Sequence, residues 1–106
     1  MMRKDDELLL RVIVGESARA GHHPLYESIV LKARESGLAG ATVTRGVMGY
    51  GKRSVLHTAK ILRLSEDLPV VIEIVDTRDK IETFLPQLET LIKDGLVTLQ
   101  QVTVIR

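Results

Sequence analysis

The run Leu68-Pro69-Val70-Val71-Ile72-Glu73-Ile74-Val75 limits the possible folds more than any other part of the sequence. Successive side chains of a β-strand point to opposite faces, so a strand with one wet face alternates apolar and polar residues. Here both phases are apolar apart from Glu73, and water is an unsuitable neighbour for either face. Asp76 and Thr77 follow at once and offer two N-cap candidates for a helix. Ile81, Phe84, Leu85, Leu88, Leu91 and Ile92 then fall at i, i+3, i+4, i+7, i+10 and i+11, the spacing of an amphipathic helix. Pro86 lies inside it and is expected to remove one backbone bond and bend it, and Gly95 is the expected stop.

The remaining elements follow from the same periods. Leu8, Leu10, Val12 and Val14 share one face of a strand over Glu7–Val14, Leu9, Arg11 and Ile13 share the other, and Gly15 ends it. His23-Pro24 opens a helix carrying Leu25, Ile29 and Ala33, which Gly37 stops. A second strand is expected over Ala41–Val47, with Val43, Arg45 and Val47 facing one way and Thr42 and Thr44 the other. Gly49-Tyr50-Gly51-Lys52-Arg53-Ser54 reads as the flexible tip of an extended hairpin, with Val55–Leu64 after it. In the last strand Val97 and Leu99, then Val102 and Val104, change phase across Gln100-Gln101, which predicts a bulge. The order is βαββαβ. It implies an α+β ferredoxin-like sandwich, four antiparallel strands with both helices on one face. The other face is left bare, and another copy of the chain is the expected cover. At 106 residues the chain is read as a single domain, 1–106, with residues 1–6 disordered.

Composition narrows function by exclusion. Lys and Arg number 15 against 14 Asp and Glu, so no global field calls for nucleic acid or an anionic membrane. The absence of cysteine removes disulfides, thiolate zinc sites, iron–sulfur clusters and cysteine nucleophiles. No apolar run approaches the roughly 20 residues of a membrane span, and the start at Lys4-Asp5-Asp6-Glu7 lacks the basic region of a secretory signal. A cytoplasmic protein without direct membrane insertion is expected. RNA-recognition modules stack bases on aromatic residues of their middle strands, whereas Tyr26 and Phe84 fall on helices here and Tyr50 in the loop.

Several residues are candidates for chemistry. His22-His23 could ligate a metal, but no third ligand follows at i+3 or i+4, and a solvated loop explains the pair. His57 stands alone and reads as a surface or interface residue. Glu73 is either a buried general base or the partner of a basic group, for which Arg11 and Arg45 are available. The Gly49–Arg53 loop is the most informative. Its glycines free backbone N–H groups to turn toward a ligand, and Lys52 and Arg53 place two positive charges beside them, which suits phosphate oxygens. A solubilising hairpin tip would carry the same residues.

The blocks Leu10–Glu16, His23–Glu27, Gly37–Val43, Arg45–Gly51 and Asp67–Asp76 together resemble the bacterial domain-of-unknown-function family numbered one hundred and ninety, over about Glu7 to Val104. That family is placed with the PII-like nitrogen-regulatory signalling proteins. The resemblance implies a homotrimeric ferredoxin-like fold, whose assembly would cover the bare face. It also implies adenine nucleotides as possible ligands in the clefts between subunits, and a long loop, here 49–64, that reaches partner proteins. The carry-over falls on Gly49, Gly51, Lys52 and Arg53, with Gly40 and Thr42 on the strand leading into the loop. A membrane transporter is an implied partner, because members of the family occur beside or joined to transport domains. One departure is plain: the PII proteins carry a second glycine-and-lysine loop before the last strand, and Lys93-Asp94-Gly95-Leu96-Val97 is too short to match it.

Three functions therefore compete. The first is a non-enzymatic, trimeric PII-like sensor of a small anionic ligand that requires no cofactor. The second is a small phosphate- or acyl-phosphate-processing enzyme using Arg19 or the His22-His23 loop. The third is an ACT-like module binding a small effector at an interface. They differ in whether polar groups converge across a subunit boundary or inside one chain.

Overall fold

A computed structural model describes residues 2–51, 57–58 and 67–106. In chain order the main elements are β1 (Lys4–Gly15), α1 (Leu25–Glu35), β2 (Thr42–Arg45), β3 (Pro69–Asp76), α2 (Arg78–Leu91) and β4 (Leu96–Ile105). They form the expected four-stranded sheet in the order β2–β3–β1–β4, every neighbouring pair antiparallel. Two short bridges accompany it, Arg19–Ala20 with His23–Pro24 and Met48–Gly49 with His57–Thr58.

The two-residue period of β1 decides which face is packed. Leu8, Leu10, Val12 and Val14 are buried and meet Val70, Ile72 and Ile74 of β3, with Leu25, Ile29 and Ala33 of α1 and Ile81, Phe84 and Leu88 of α2 laid over them. Each fully buried large side chain of this kind contributes about 1.5–3 kcal/mol relative to exposure. Pro24 is the N-cap of α1, extended at φ −56° and ψ 135° and placed before the first turn. Gly37 ends α1 in the left-handed region, φ 81°, and the Leu38 N–H returns to the Ala33 carbonyl at 3.1 Å. Thr77 caps α2 by accepting from the Lys80 N–H, and the helix continues through Pro86. It stops at Leu91, ahead of Gly95, because Ile92 is already extended at ψ 125°.

Three expectations need correcting. The segment 1–6, read as disordered, contributes Lys4, Asp5 and Asp6 to β1, paired with Ile105, Val104 and Thr103 of β4. The bulge at Gln100-Gln101 is absent. The register runs unbroken from Lys4 opposite Ile105 to Ile13 opposite Leu96, so Val97 and Leu99 share the helix-side face with Val12 and Leu10, and Val102 and Val104 share the opposite face with Glu7 and Asp5. The apolar residues change faces while the backbone stays regular. Finally, β2 covers only Thr42–Arg45 of the expected Ala41–Val47.

Among the described residues nothing covers the face away from the helices. Its rows across the sheet are Thr44, Val71, Ile13 and Leu96, then Thr42, Glu73, Arg11 and Thr98, then Val75, Leu9 and Gln100. Leu9, Ile13 and Val71 are half-buried on it. Beyond the end of β3, where Asp76 pairs with Leu8, β1 and β4 continue as a two-stranded arm. Arg106 staples the arm with two bonds to Glu7, 2.9 and 3.2 Å, and a third to Asp5 at 3.3 Å. Glu7 is 7 % exposed, and its hydrogen bond is the main reason the Arg106 guanidinium is held above its ordinary pKa.

Candidate ligand-binding site

The residues expected at the site are spread along β3. Thr42 belongs to the middle of the strand and Gly40 to the Asp76 end. There Asp76, 6 % exposed, accepts from the Ala39 N–H at 2.9 Å and the Thr77 N–H at 2.7 Å, and so fixes the connection from α1 into β2 against the start of α2. Gly40 follows, exposed, with open space where a Cβ would stand. Thr42 is exposed and stands opposite Glu73 in the register.

Gly49 belongs to the Pro69 end, which lies about 24 Å along the strand from Asp76 at roughly 3.4 Å per residue, and Gly51, exposed, follows it in the chain. The Gly46 N–H donates to the Pro69 carbonyl at 2.7 Å, and Cβ atoms at Gly46 and Gly49 would stand 2.8 and 2.9 Å from Pro69 Cγ. Packing against one proline ring thus accounts for glycine at both positions. Val47, Met48 and Tyr50 between and beyond them are exposed. Lys52 and Arg53 lie outside the described residues, as does most of the expected loop 49–64.

The same end gathers further polar groups. Arg45 at the end of β2 pairs there with Glu16, which leaves Arg11, of the two expected candidates, as the partner of Glu73 in the middle of the sheet. Asp67 accepts from the Ser17 N–H at 2.8 Å, and its carboxylate occupies the space a Cβ at Gly15 would need, 2.5 Å from Oδ1. An acid two residues before a proline-started strand was the available signal for Asp67, and it was missed. Gly95, in the short turn before β4, lies against the end of β1, its Cβ position 3.0 Å from the Ile13 carbonyl oxygen. The turn and the hairpin root therefore share one end of the sheet.

The alternative centres are less assembled. Arg19 turns its guanidinium onto the His22 carbonyl at 3.0 Å, and His22 and His23 are exposed. Among the described residues no three His, Cys, Asp or Glu side chains gather as a metal site. A hollow of about 230 Å³ lined by Ser36, Asp79, Lys80, Thr83, Phe84 and Gln87 lies between the helices, below the roughly 300–1,000 Å³ of ordinary ligand pockets. No helix among the described residues is long and apolar enough to cross a membrane.

The model of the DUF190 family, described as uncharacterized ACR, matches residues 7–104. The chain belongs to the DUF190 family. A UPF0166 protein of Aquifex aeolicus is 39% identical to this DUF190 chain over 104 residues, 98% of each. The UPF0166 protein MJ1524 of Methanocaldococcus jannaschii is 38% identical over 90 residues, 84% of this chain and 82% of the relative. Among solved structures, the nitrogen regulatory PII-like protein CPII of Thiomonas intermedia K12, bound to ADP, AMP and bicarbonate, superposes with a TM-score of 0.66 at 16% identity, over 96% of this chain and 91% of that one. A putative PII-like signaling protein of Thermus thermophilus gives 0.68 at 15% identity, over 95% and 91%. The fold of this DUF190 chain is PII-like and ferredoxin-like, as the family resemblance implied.

Proposed function

We propose that the chain is a non-enzymatic PII-like sensor that assembles as a homotrimer, binds an adenine nucleotide between subunits and reports occupancy to a partner protein through residues 49–64. The observation that carries the reading is the separation of the candidate residues within one chain. Gly40 stands toward the Asp76 end of β3, Thr42 at its middle and Gly49 against Pro69 at the other end, so a site common to Gly40 and Gly49 requires a neighbouring copy to bring them together. The half-buried Leu9, Ile13 and Val71 on the uncovered sheet face supply the surface such copies would bury. CPII, which shares the fold, binds ADP and AMP, and this supports an adenine nucleotide as the ligand class. The partner is a protein of the membrane-transport class, in line with the family resemblance, and the site of action is the cytoplasm. Lys52 and Arg53 supply the charge for phosphate oxygens.

Calorimetric titration with AMP, ADP, ATP and cyclic nucleotides tests this directly. At least one adenine nucleotide is expected to bind, and a Lys52→Ala, Arg53→Ala chain to bind it about 100-fold or more weakly, because charge-assisted bonds to phosphate contribute roughly 1.5–3 kcal/mol each. Its melting temperature should barely move, since exposed charges add little to stability. Nucleotide affinity unchanged by the double substitution would remove the loop from the site.

A further inference from the structure

One polar pair stands in the middle of the uncovered sheet face. Arg11 and Glu73 are directly opposite on β1 and β3, and Nε and Nη2 of Arg11 both reach Oε2 of Glu73 at 2.8 Å. The contact is one-sided. A guanidinium carries five donors and a carboxylate accepts through both oxygens, yet among the described residues Oε1 of Glu73 and Nη1 of Arg11 have no hydrogen-bond partner. The side chains remain 38 % and 40 % exposed, so these groups are presented outward. Around them lie the half-buried Leu9, Ile13 and Val71.

Whatever covers this face must satisfy both groups, because a charged donor or acceptor buried without a partner is strongly destabilising. An apolar partner surface would strand them. A wholly basic or acidic one would satisfy one and repel the other. The complement of an adjacent plus and minus is another adjacent minus and plus, which the same chain already carries. We propose that neighbouring copies in the trimer meet at this face and that Arg11 of each copy donates through Nη1 to Oε1 of the partner's Glu73, head to tail around the three-fold axis, so that each pair is completed only across an interface. The inference rests on the reading of this face as an interface between copies and adds the contact that sets its register. Copies slipped along the strands would bring Arg11 against the partner's Arg11, or leave it facing apolar side chains, and so be disfavoured.

Light-scattering mass against concentration, with far-UV circular dichroism to confirm folding, tests the pair. Arg11→Glu and Glu73→Arg singly should each weaken self-association by about 30-fold or more, and the chain carrying both exchanges should recover most of it. A second measurement covers variants that fail to fold. In a mixture of an Arg11→Lys, Glu73→Gln chain with wild-type chain, the introduced amine has no Glu73 of its own, so a zero-length carbodiimide should couple it only to the partner's Glu73 and give a covalent dimer band. Replacing the wild-type chain by a Glu73→Gln chain should abolish the band. Wild-type chain at monomer mass would overturn both this inference and the assembly reading beneath it. Wild-type oligomer whose association is unmoved by either single exchange, or mixed chains that co-assemble without that dimer band, would overturn the pairing alone.

Discussion

Asp76 holds two backbone N–H groups that no helix or strand would otherwise satisfy, one from Ala39 and one from Thr77. Asp76→Ala should therefore lower stability by about 1 kcal/mol or somewhat more, read from the urea midpoint, because two part-buried N–H groups lose their acceptor. Asp76→Asn should cost less, since its amide oxygen still accepts. From sequence Asp76 and Thr77 were equal N-cap candidates. Thr77 takes the cap and Asp76 reaches across to the α1–β2 connection, a division that depends on a contact 37 residues away. The glycines divide in the same way. Gly49→Ala meets the Pro69 ring at 2.9 Å and should cost about 1–3 kcal/mol without any nucleotide present. Gly40→Ala enters open space and should change stability by less than about 0.5 kcal/mol. Gly49 was legible as a position needing freedom, and Gly40 entered only through the family resemblance. Which of them answers to packing was hidden, because Pro69 is 20 residues further along the chain.

At the level of elements, periodicity identified all four main strands and both helices, and it placed Leu8, Leu10, Val12 and Val14 with Ile81, Phe84 and Leu88 in one core. Boundaries were less legible. Burial fixes which residues face inward, while the last hydrogen bond of a strand depends on its neighbour, and β2 ends at Arg45 as the chain turns against Pro69. The bulge was inferred from a phase change that the strand accommodates by serving two faces. Pro86 was read as a source of bending, and α2 runs through it. A proline in a helix interior withholds one donor and crowds the preceding carbonyl. Pro86→Ala should accordingly raise stability by about 1–3 kcal/mol, measured as an increase in the denaturant midpoint with an unchanged slope. A loss would mean that the proline geometry is needed by the packing of α2 on the sheet.

For the molecule as a whole, the bare sheet face was foreseen from the two-sided apolar strand, and the structure lays Leu9, Ile13 and Val71 on that face with the Arg11–Glu73 pair between them. Its paired polar centre was not foreseen in full, because Arg11 and Arg45 were equal candidates until the register set Arg11 opposite Glu73 and Arg45 beside Glu16. Ile13→Asp tests the face as an interface. Because Ile13 points away from the helices, a carboxylate there should leave a folded monomer, seen as a fall in light-scattering mass with native circular dichroism. Collapse of the fold would instead place Ile13 in the intramolecular core. The two-stranded arm has a mechanical consequence. Arg3 and Arg106 exchange both backbone hydrogen bonds side by side, so a load drawing these two residues apart pulls across the ladder and strains one rung at a time. Under tension the sheet would open from this end like a zipper, the Arg106 staple giving way before Leu8, Leu10 and the helices bear any force.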